Sequence, residues 1–359
     1  GYGVLDLSVV ADAGPGESGS PPDRSCQLYA YRARGKEARP PVHGAADPAG
    51  QCISPSRPYT GGPAEAGTDL RMPSVKPALP DDLETTVRRA LDEDVGGGDV
   101  TAALIPPLAR AHATVLCRED AVLCGTAWFE STFQHLDPMV QIQWHAADGQ
   151  DVRADSIVCS LAGNARALLT GERTALNFLQ TLSGTATIAR RYAEVVAGTG
   201  CRVLDTRKTL PGLRRAQKYA AACGGVANHR IGLFDAVLIK ENHLIAAGSI
   251  EAAVEAARSA HPTLSVEVEV EDLAQTETAL RAGADTLLLD NFPLDDLRAA
   301  VALNEALRQP PARLDASGNV TLETLGEIAE TGVHFITVGA LTKHIQAVDL
   351  SLRFRFDEV

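Results

Sequence analysis

The chain has 359 residues, 45% hydrophobic but only 4% aromatic, enough for two or three domains with cores built mainly from Ala, Leu, Val and Ile. A formal charge of −13 argues against general nucleic-acid affinity, and no apolar run reaches the ~18 residues of a membrane span. Seven scattered cysteines without a C-x-x-C pair argue for reduced thiols and against a zinc site; with no secretory pattern at the start, a cytoplasmic protein is expected.

Residues 1–71 are rich in Gly and Pro and show neither a period of 2 nor of 3.6. The first methionine is Met72. The expectation is that translation starts there and that 1–71 is a disordered or artefactual extension, with a genuine flexible tail as the alternative. Ordered structure is expected from about 76. Asp81 and Glu84 resemble a capping box, Leu83, Val87 and Leu91 form an apolar stripe, and Gly96 to Gly98 end the helix. Short strand-like runs follow, including Val140, Ile142 and Trp144 alternating with polar residues. Two helical stretches come next, split after "LQTLSG".

From about 201 the rhythm changes. Apolar strands ("CRVLD", "DAVLIK", "LSVEVEV", "DTLLLD", "ARLDAS", "HFITVG") alternate with helical segments, which implies parallel strands and crossover helices. Six units predict a barrel or incomplete barrel. The final "DLSLRFRFD" alternates Leu352, Phe354 and Phe356 with charged residues, so it is placed antiparallel on the first domain's sheet. The fold class is therefore α/β: an N-terminal α+β domain (76–185, completed by 346–359) and an open α/β barrel (186–345).

Active sites of such barrels lie at the C-terminal strand ends. Here those ends carry Arg207 and Lys208, then Lys240, then Glu267 and Glu269, then Asp290, then Ser317 and Gly318, and last Gly339. His229 and Arg230 precede the second strand. Singly, each has a bland reading: a solvated charge, a polar strand face, a helix cap or a turn glycine. Together, several cations in one mouth would repel each other unless they bind an anion. Carboxylates beside them suit a hard metal carried with phosphate. The residues thus point to a multiply charged anionic substrate and a phosphorylated one. Neither G-x-x-x-x-G-K-[ST], G-x-G-x-x-G nor G-x-S-x-G occurs.

These motifs resemble one family. "GERTALNFLQTLSGTAT" (171–187), "DTRKTLPGLR" (205–214), "KYAAACGGVANHRIGLFDAVLIKENH" (218–243), "VEVEVE" (266–271), "GADTLLLDNF" (283–292), "ASGNVT" (316–321) and "VGALT" (338–342) are similar to quinolinate phosphoribosyltransferase. The resemblance covers about 76–359. It implies phosphoribosyl transfer to quinolinate with loss of carbon dioxide, giving nicotinate mononucleotide and pyrophosphate in NAD biosynthesis. It also implies magnesium, an open seven-stranded barrel, and a homodimer or larger assembly.

By the resemblance, Arg207, His229, Arg230 and Lys240 would line the quinolinate pocket, with Arg173 entering from the neighbouring subunit. Lys208, Glu269 and Asp290 would serve phosphoribosyl pyrophosphate and its magnesium, the metal being met indirectly, and Thr206 would also bind substrate. Ser317, Gly318, Gly339 and Ala340 would hold phosphate. Lys208, Lys240, Glu269 and Asp290 would be catalytic. The sequence departs from the family pattern at Val226 and at Lys343–His344. Three other readings stay open: a molybdenum-transport-associated homologue acting on another anion, a non-catalytic phosphate-binding module, and an aldolase-like barrel with Lys240 as a Schiff-base amine.

Overall fold

Helix α1 (Leu83–Val95) buries Leu83, Val87 and Leu91, the stripe its spacing predicts. Its start differs from the expectation. Asp82, not Asp81, is the N-cap and makes no side-chain capping bond, so tertiary packing holds this end of the helix. The computed structural model describes residues 77–356, and the expectations for residues 1–71 and Met72 lie outside the described residues.

A 3-10 turn leads to β1 (Arg110–Cys117), β2 (Ala121–Val122), α2 (Thr126–Leu136), β3 (Gln141–Trp144), β4 (Asp151–Val152) and β5 (Ser156–Asn164). β1 pairs antiparallel with β5, and β5 with β3. Alternate residues Ala111, Ala113, Val115 and Cys117 are buried and share one core with Phe129 and Phe133 of α2. Together these form the predicted half-buried sheet with one helix laid on it.

Helix α3 (Ala165–Val195) is a single helix of 31 residues, where the sequence reading placed two. The misleading residue is Gly184. It does not end the helix; it admits another chain segment, because a β-carbon there would lie 2.1 Å from the Gln346 carbonyl oxygen. Asn164 caps the helix, its side chain accepting from the N–H groups of Arg166 and Ala167. Leu168, Leu176 and Leu179 pack in the first core, whereas Ala189 and Tyr192 pack in the second. The helix thus runs through the position at which the sequence reading divided the two domains.

The second half contains β6 (Arg202–Leu204), α4 (Arg214–Cys223), β7 (Val237–Ile239), α5 (Glu241–Ala247), α6 (Ile250–Ala260), β8 (Val266–Val270), α7 (Leu273–Arg281) and β9 (Thr286–Asp290). It continues through α8 (Leu294–Leu307), β10 (Arg313–Ser317), α9 (Leu322–Ala329), β11 (Phe335–Thr337) and α10 (Ala340–Lys343). The strands form one parallel sheet in the order β6-β11-β10-β9-β8-β7, and β6 does not pair with β7, so the barrel is open. Val266, Val268, Leu287, Leu289, Leu314 and Ile336 pack in the core between this sheet and the helices that cover it.

The described sheet has six strands where the family resemblance implied seven. On the free edge of β6 a single parallel bridge joins Leu204 to Ala227. Pairing stops there because the next N–H groups turn to side chains: the His229 N–H donates to Asp205 rather than to a strand. The last strand, β12 (Leu350–Phe356), returns to pair antiparallel with β1, setting Leu352 opposite Val115 and Phe354 opposite Ala113, as its alternation predicts.

Candidate active site

A cavity of about 970 Å³ opens at the C-terminal ends of the parallel strands. Every predicted site residue lines it except Arg173. Thr206, Arg207 and Lys208 follow β6, Lys240 follows β7, Glu269 lies on β8, and Asp290 ends β9. Ser317 and Gly318 close β10, Gly339 and Ala340 follow β11, and His229 and Arg230 come from the loop before β7. Arg173 is exposed on α3 and does not line the cavity.

Beneath the β6 loop lies a buried ion pair. Asp205 and Lys218 have side chains 0% and 1% exposed, and the Lys218 ammonium donates to Asp205 Oδ1. Burial pushes the Asp205 carboxyl up and the Lys218 ammonium down, against their mutual attraction. Asp205 also accepts from Asn228 Nδ2 at 2.7 Å and from the His229 N–H at 2.8 Å, while Lys218 Nζ donates to the His229 carbonyl at 2.8 Å. The pair therefore grips the peptide groups on both sides of the His229 Cα. Thr206 Oγ1 accepts from the Lys208 N–H at 2.9 Å, and Thr342 Oγ1 donates to the Lys208 carbonyl at 2.8 Å. These bonds fix the β6 loop from below and leave the Lys208 side chain lying against Gly339.

The cations have different partners. Lys240 forms an ion pair with Glu269 across β7 and β8. Arg230 Nη1 donates to the Ala236 carbonyl at 3.3 Å; burial, together with the nearby Arg207, pulls its pKa down. Arg207 has a buried Nε with no hydrogen-bond partner. A buried unpaired guanidinium donor beside a second arginine is costly, and a ligand carboxylate would remove that cost.

The far wall is built from turns. At Gly318, φ is 100° and an added β-carbon would meet Asn291 Oδ1 at 2.2 Å, so only glycine fits. Asn291 itself has φ 56°; its N–H donates to the Ser317 carbonyl at 2.8 Å and its side-chain amide donates to Asp290 Oδ2 at 3.0 Å. Gly339 caps α10, whose first residue is Ala340. At the two departures from the family pattern, Val226 is buried in the barrel core, while Lys343 and His344 line the cavity.

Sequence reasoning missed part of the site. Tyr192 of α3, Asn291, Asn319, Thr321 and Thr337 also line the cavity. Glu267 stands beside Glu269 among the strand-end carboxylates, with a polar strand face as its bland reading and no role assigned; its side chain is only 7% exposed and accepts from His229 Nε2 at 3.0 Å. Asp315, wholly buried on β10, accepts from Thr337 Oγ1 at 2.6 Å. The signal for Glu267 was its two-residue spacing from Glu269 on one strand; that for Asp315 was its place two residues before Ser317. Burial opposes the His229 imidazolium, but the Glu267 hydrogen bond and charge, with Asp315, outweigh it and hold its pKa above the ordinary value.

Comparison with known proteins gives this arrangement a family. Residues 99–183 match the family described as quinolinate phosphoribosyl transferase, N-terminal domain, and residues 185–353 match its C-terminal domain. A Synechocystis protein, "Probable nicotinate-nucleotide pyrophosphorylase [carboxylating]", is 42% identical over 76% of this chain and 92% of its own length. A chloroplastic nicotinate-nucleotide pyrophosphorylase [carboxylating] from Oryza sativa subsp. japonica is 36% identical over 93% of this chain and 94% of its own, a span reaching ahead of Met72. The solved nicotinate-nucleotide pyrophosphorylase from Francisella tularensis superposes with a TM-score of 0.72 at 44% identity, covering 77% of this chain and 98% of that one. The chain belongs to the quinolinate phosphoribosyltransferase family.

Proposed function

We propose that the cavity joins the phosphoribosyl group of phosphoribosyl pyrophosphate to the ring nitrogen of quinolinate and releases carbon dioxide and pyrophosphate, leaving nicotinate mononucleotide. The observation that carries this reading is the meeting of Arg207, Lys208, His229, Arg230 and Lys240 with Glu269 and Asp290 in one cavity at the strand ends. The relatives' names are those of the carboxylating pyrophosphorylase, and they do not favour the molybdenum-associated or non-catalytic readings.

Quinolinate is a dianion at neutral pH. Arg207, His229 and Arg230 bind its carboxylates and aim the ring nitrogen at the anomeric carbon, so much of the rate gain comes from positioning. Lys208, beside Gly339, stabilises charge on the departing pyrophosphate, and the turns at Ser317–Gly318 and Gly339–Ala340 offer N–H groups to phosphate. Once the ring nitrogen is quaternary and positive, it stabilises the carbanion left as the adjacent carboxylate departs as carbon dioxide, and that carbon then takes up a proton from solvent to give nicotinate mononucleotide. Lys240, paired with Glu269, acts as a fixed charge and not as a Schiff-base amine.

Glu269 and Asp290 supply carboxylate oxygens to the same cavity, a donor set that suits a hard divalent cation. They would hold magnesium through the pyrophosphate it accompanies; when bound, the metal supplies positive charge to that leaving group. Arg173, exposed on α3, completes the quinolinate pocket of a second copy in a homodimer or larger assembly. A reducing compartment such as the cytoplasm fits the buried thiols of Cys117, Cys159, Cys201 and Cys223, and no described helix is long and apolar enough to cross a membrane. The function is tested by assaying quinolinate and phosphoribosyl pyrophosphate with magnesium. Shared sites are tested by mixing Arg173→Ala with Lys240→Ala subunits: heterodimers regain activity if Arg173 acts in trans, and verified heterodimers without recovery would refute that.

A further inference from the structure

Below the substrate cavity, inside the barrel, three ionisable side chains meet. A ring nitrogen of His229, a Glu267 oxygen and an Asp315 oxygen lie within 4.8 Å of one another. Glu267 and Asp315 are 5% and 0% exposed, and each keeps one buried oxygen, Oε1 and Oδ1, without a hydrogen-bond partner. Two such carboxylates cannot both be charged at low cost in a buried space. Because Glu267 accepts from His229 at 3.0 Å, the negative charge belongs on Glu267 and the proton on Asp315.

The backbone of His229 is equally constrained. Its N–H donates to Asp205 at 2.8 Å and its carbonyl accepts from Lys218 at 2.8 Å, so the backbone is fixed while the Glu267 contact holds the ring. With Nε2 committed to Glu267, Nδ1 is the ring's remaining donor, on a residue that lines the cavity. The groups acting on the ring are Glu267 from β8, Asp315 from β10 and Lys218 from α4, the last opposing its charge.

We propose that Glu267 is a positioning residue that holds His229 as a fixed imidazolium, with a protonated Asp315 backing it, so that Nδ1–H meets a carboxylate of the substrate. This deepens the proposed function and rests on it for the identity of that carboxylate. The arrangement is a buried, net-neutral trio that presents one positive donor upward. The raised pKa of His229 agrees with the geometry, as does Asp315, whose carboxyl is pushed up to about 7 by burial first and by the Glu267 charge second.

The test combines spectroscopy with kinetics on the full chain. Histidine-selective NMR titration, with the His229 signal assigned from a His229→Asn spectrum, follows the ring without any substrate. Glu267→Gln keeps an acceptor oxygen and removes the charge. It should lower the His229 midpoint by about one pH unit or more, the equivalent of about 1.4 kcal/mol. At pH 7.5 it should raise the quinolinate KM about tenfold while kcat changes far less, and the difference should shrink at pH 6. Asp315→Asn should lower the midpoint less than Glu267→Gln does, since Asp315 makes no hydrogen bond to the ring and is neutral below about pH 7.

An unmoved His229 midpoint in Glu267→Gln, or a midpoint lowered as much by Asp315→Asn as by Glu267→Gln, would overturn the proposal. So would an unchanged quinolinate KM. Should Glu267→Gln fail to fold, the wild-type midpoint and Asp315→Asn decide: an ordinary or lowered wild-type midpoint refutes it. Failure of the wild-type chain to turn over quinolinate would instead strike the functional reading and leave the titration result standing.

Discussion

The N-terminal half and the barrel mouth bury opposite kinds of group. Around the antiparallel sheet the largest buried side chains are Phe129, Phe133, Leu123, Leu168, Leu176 and Leu179, and the buried hydroxyls of Thr132 and Ser183 are satisfied by neighbouring backbone. Under the mouth the buried set includes Asp205, Lys218, Glu267 and Asp315. The first half gains stability from apolar area, each large side chain contributing about 1.5–3 kcal/mol. The second spends stability on charges that a hydrophobic replacement of equal shape would often match or better. Such charges are worth keeping where they aim a functional group, and here they aim His229 and the β6 loop. The contrast divides the molecule into a scaffold that resists unfolding and a mouth that resists misalignment.

Removing one partner of the buried pair should have the largest effect. Lys218→Ala leaves Asp205 buried without its cation and should cost about 3–5 kcal/mol in denaturant unfolding, with activity falling beyond what the unfolded fraction explains. Loss of stability with full specific activity in the folded remainder would break the link to His229. Leu176→Ala, in the other half, should cost about 2–5 kcal/mol while the folded protein keeps its quinolinate KM. Arg207→Ala should reverse that pattern, with unfolding within about 0.5 kcal/mol of the parent and a quinolinate KM raised about tenfold or more. A surface change such as Arg298→Ala, which breaks an exposed pair with Asp295, should shift stability by less than about 1 kcal/mol and leave both KM values alone.

Acidity sharpens the same contrast. Asp315 has a folded-state pKa raised to about 7, so the folded chain holds an extra proton relative to the unfolded one between roughly pH 4 and 7. Its contribution is fully present below that window and is lost as the pH rises through about 7. The raised His229 acts in the same direction, losing its contribution as pH rises through its folded value. Asp315→Asn should therefore flatten the fall in stability across that window, measured as the unfolding midpoint against pH.

The sequence makes the rhythm of the fold legible but not its exceptions. Alternating apolar runs and helical segments mark six parallel strands, and Leu352 and Phe354 betray a strand returning to the first sheet. What misled was residues whose meaning lies in a distant partner. Gly184 reads as a break because the Gln346 carbonyl that passes it is far along the chain. Glu267 reads as a wet face because nothing local says that His229 folds over it. Lys218 and Asp205 are thirteen positions apart, and no periodicity marks them as a pair. The cavity was legible for the opposite reason: its residues sit at strand ends, and the fold itself gathers strand ends.

The most direct test of the account supplies quinolinate labelled in the carboxylate beside the ring nitrogen, with phosphoribosyl pyrophosphate and magnesium. Labelled carbon dioxide and nicotinate mononucleotide should appear in equal amounts, and nicotinate offered instead should react poorly. Equal use of nicotinate, or no quinolinate-dependent release of label from folded protein, would contradict it.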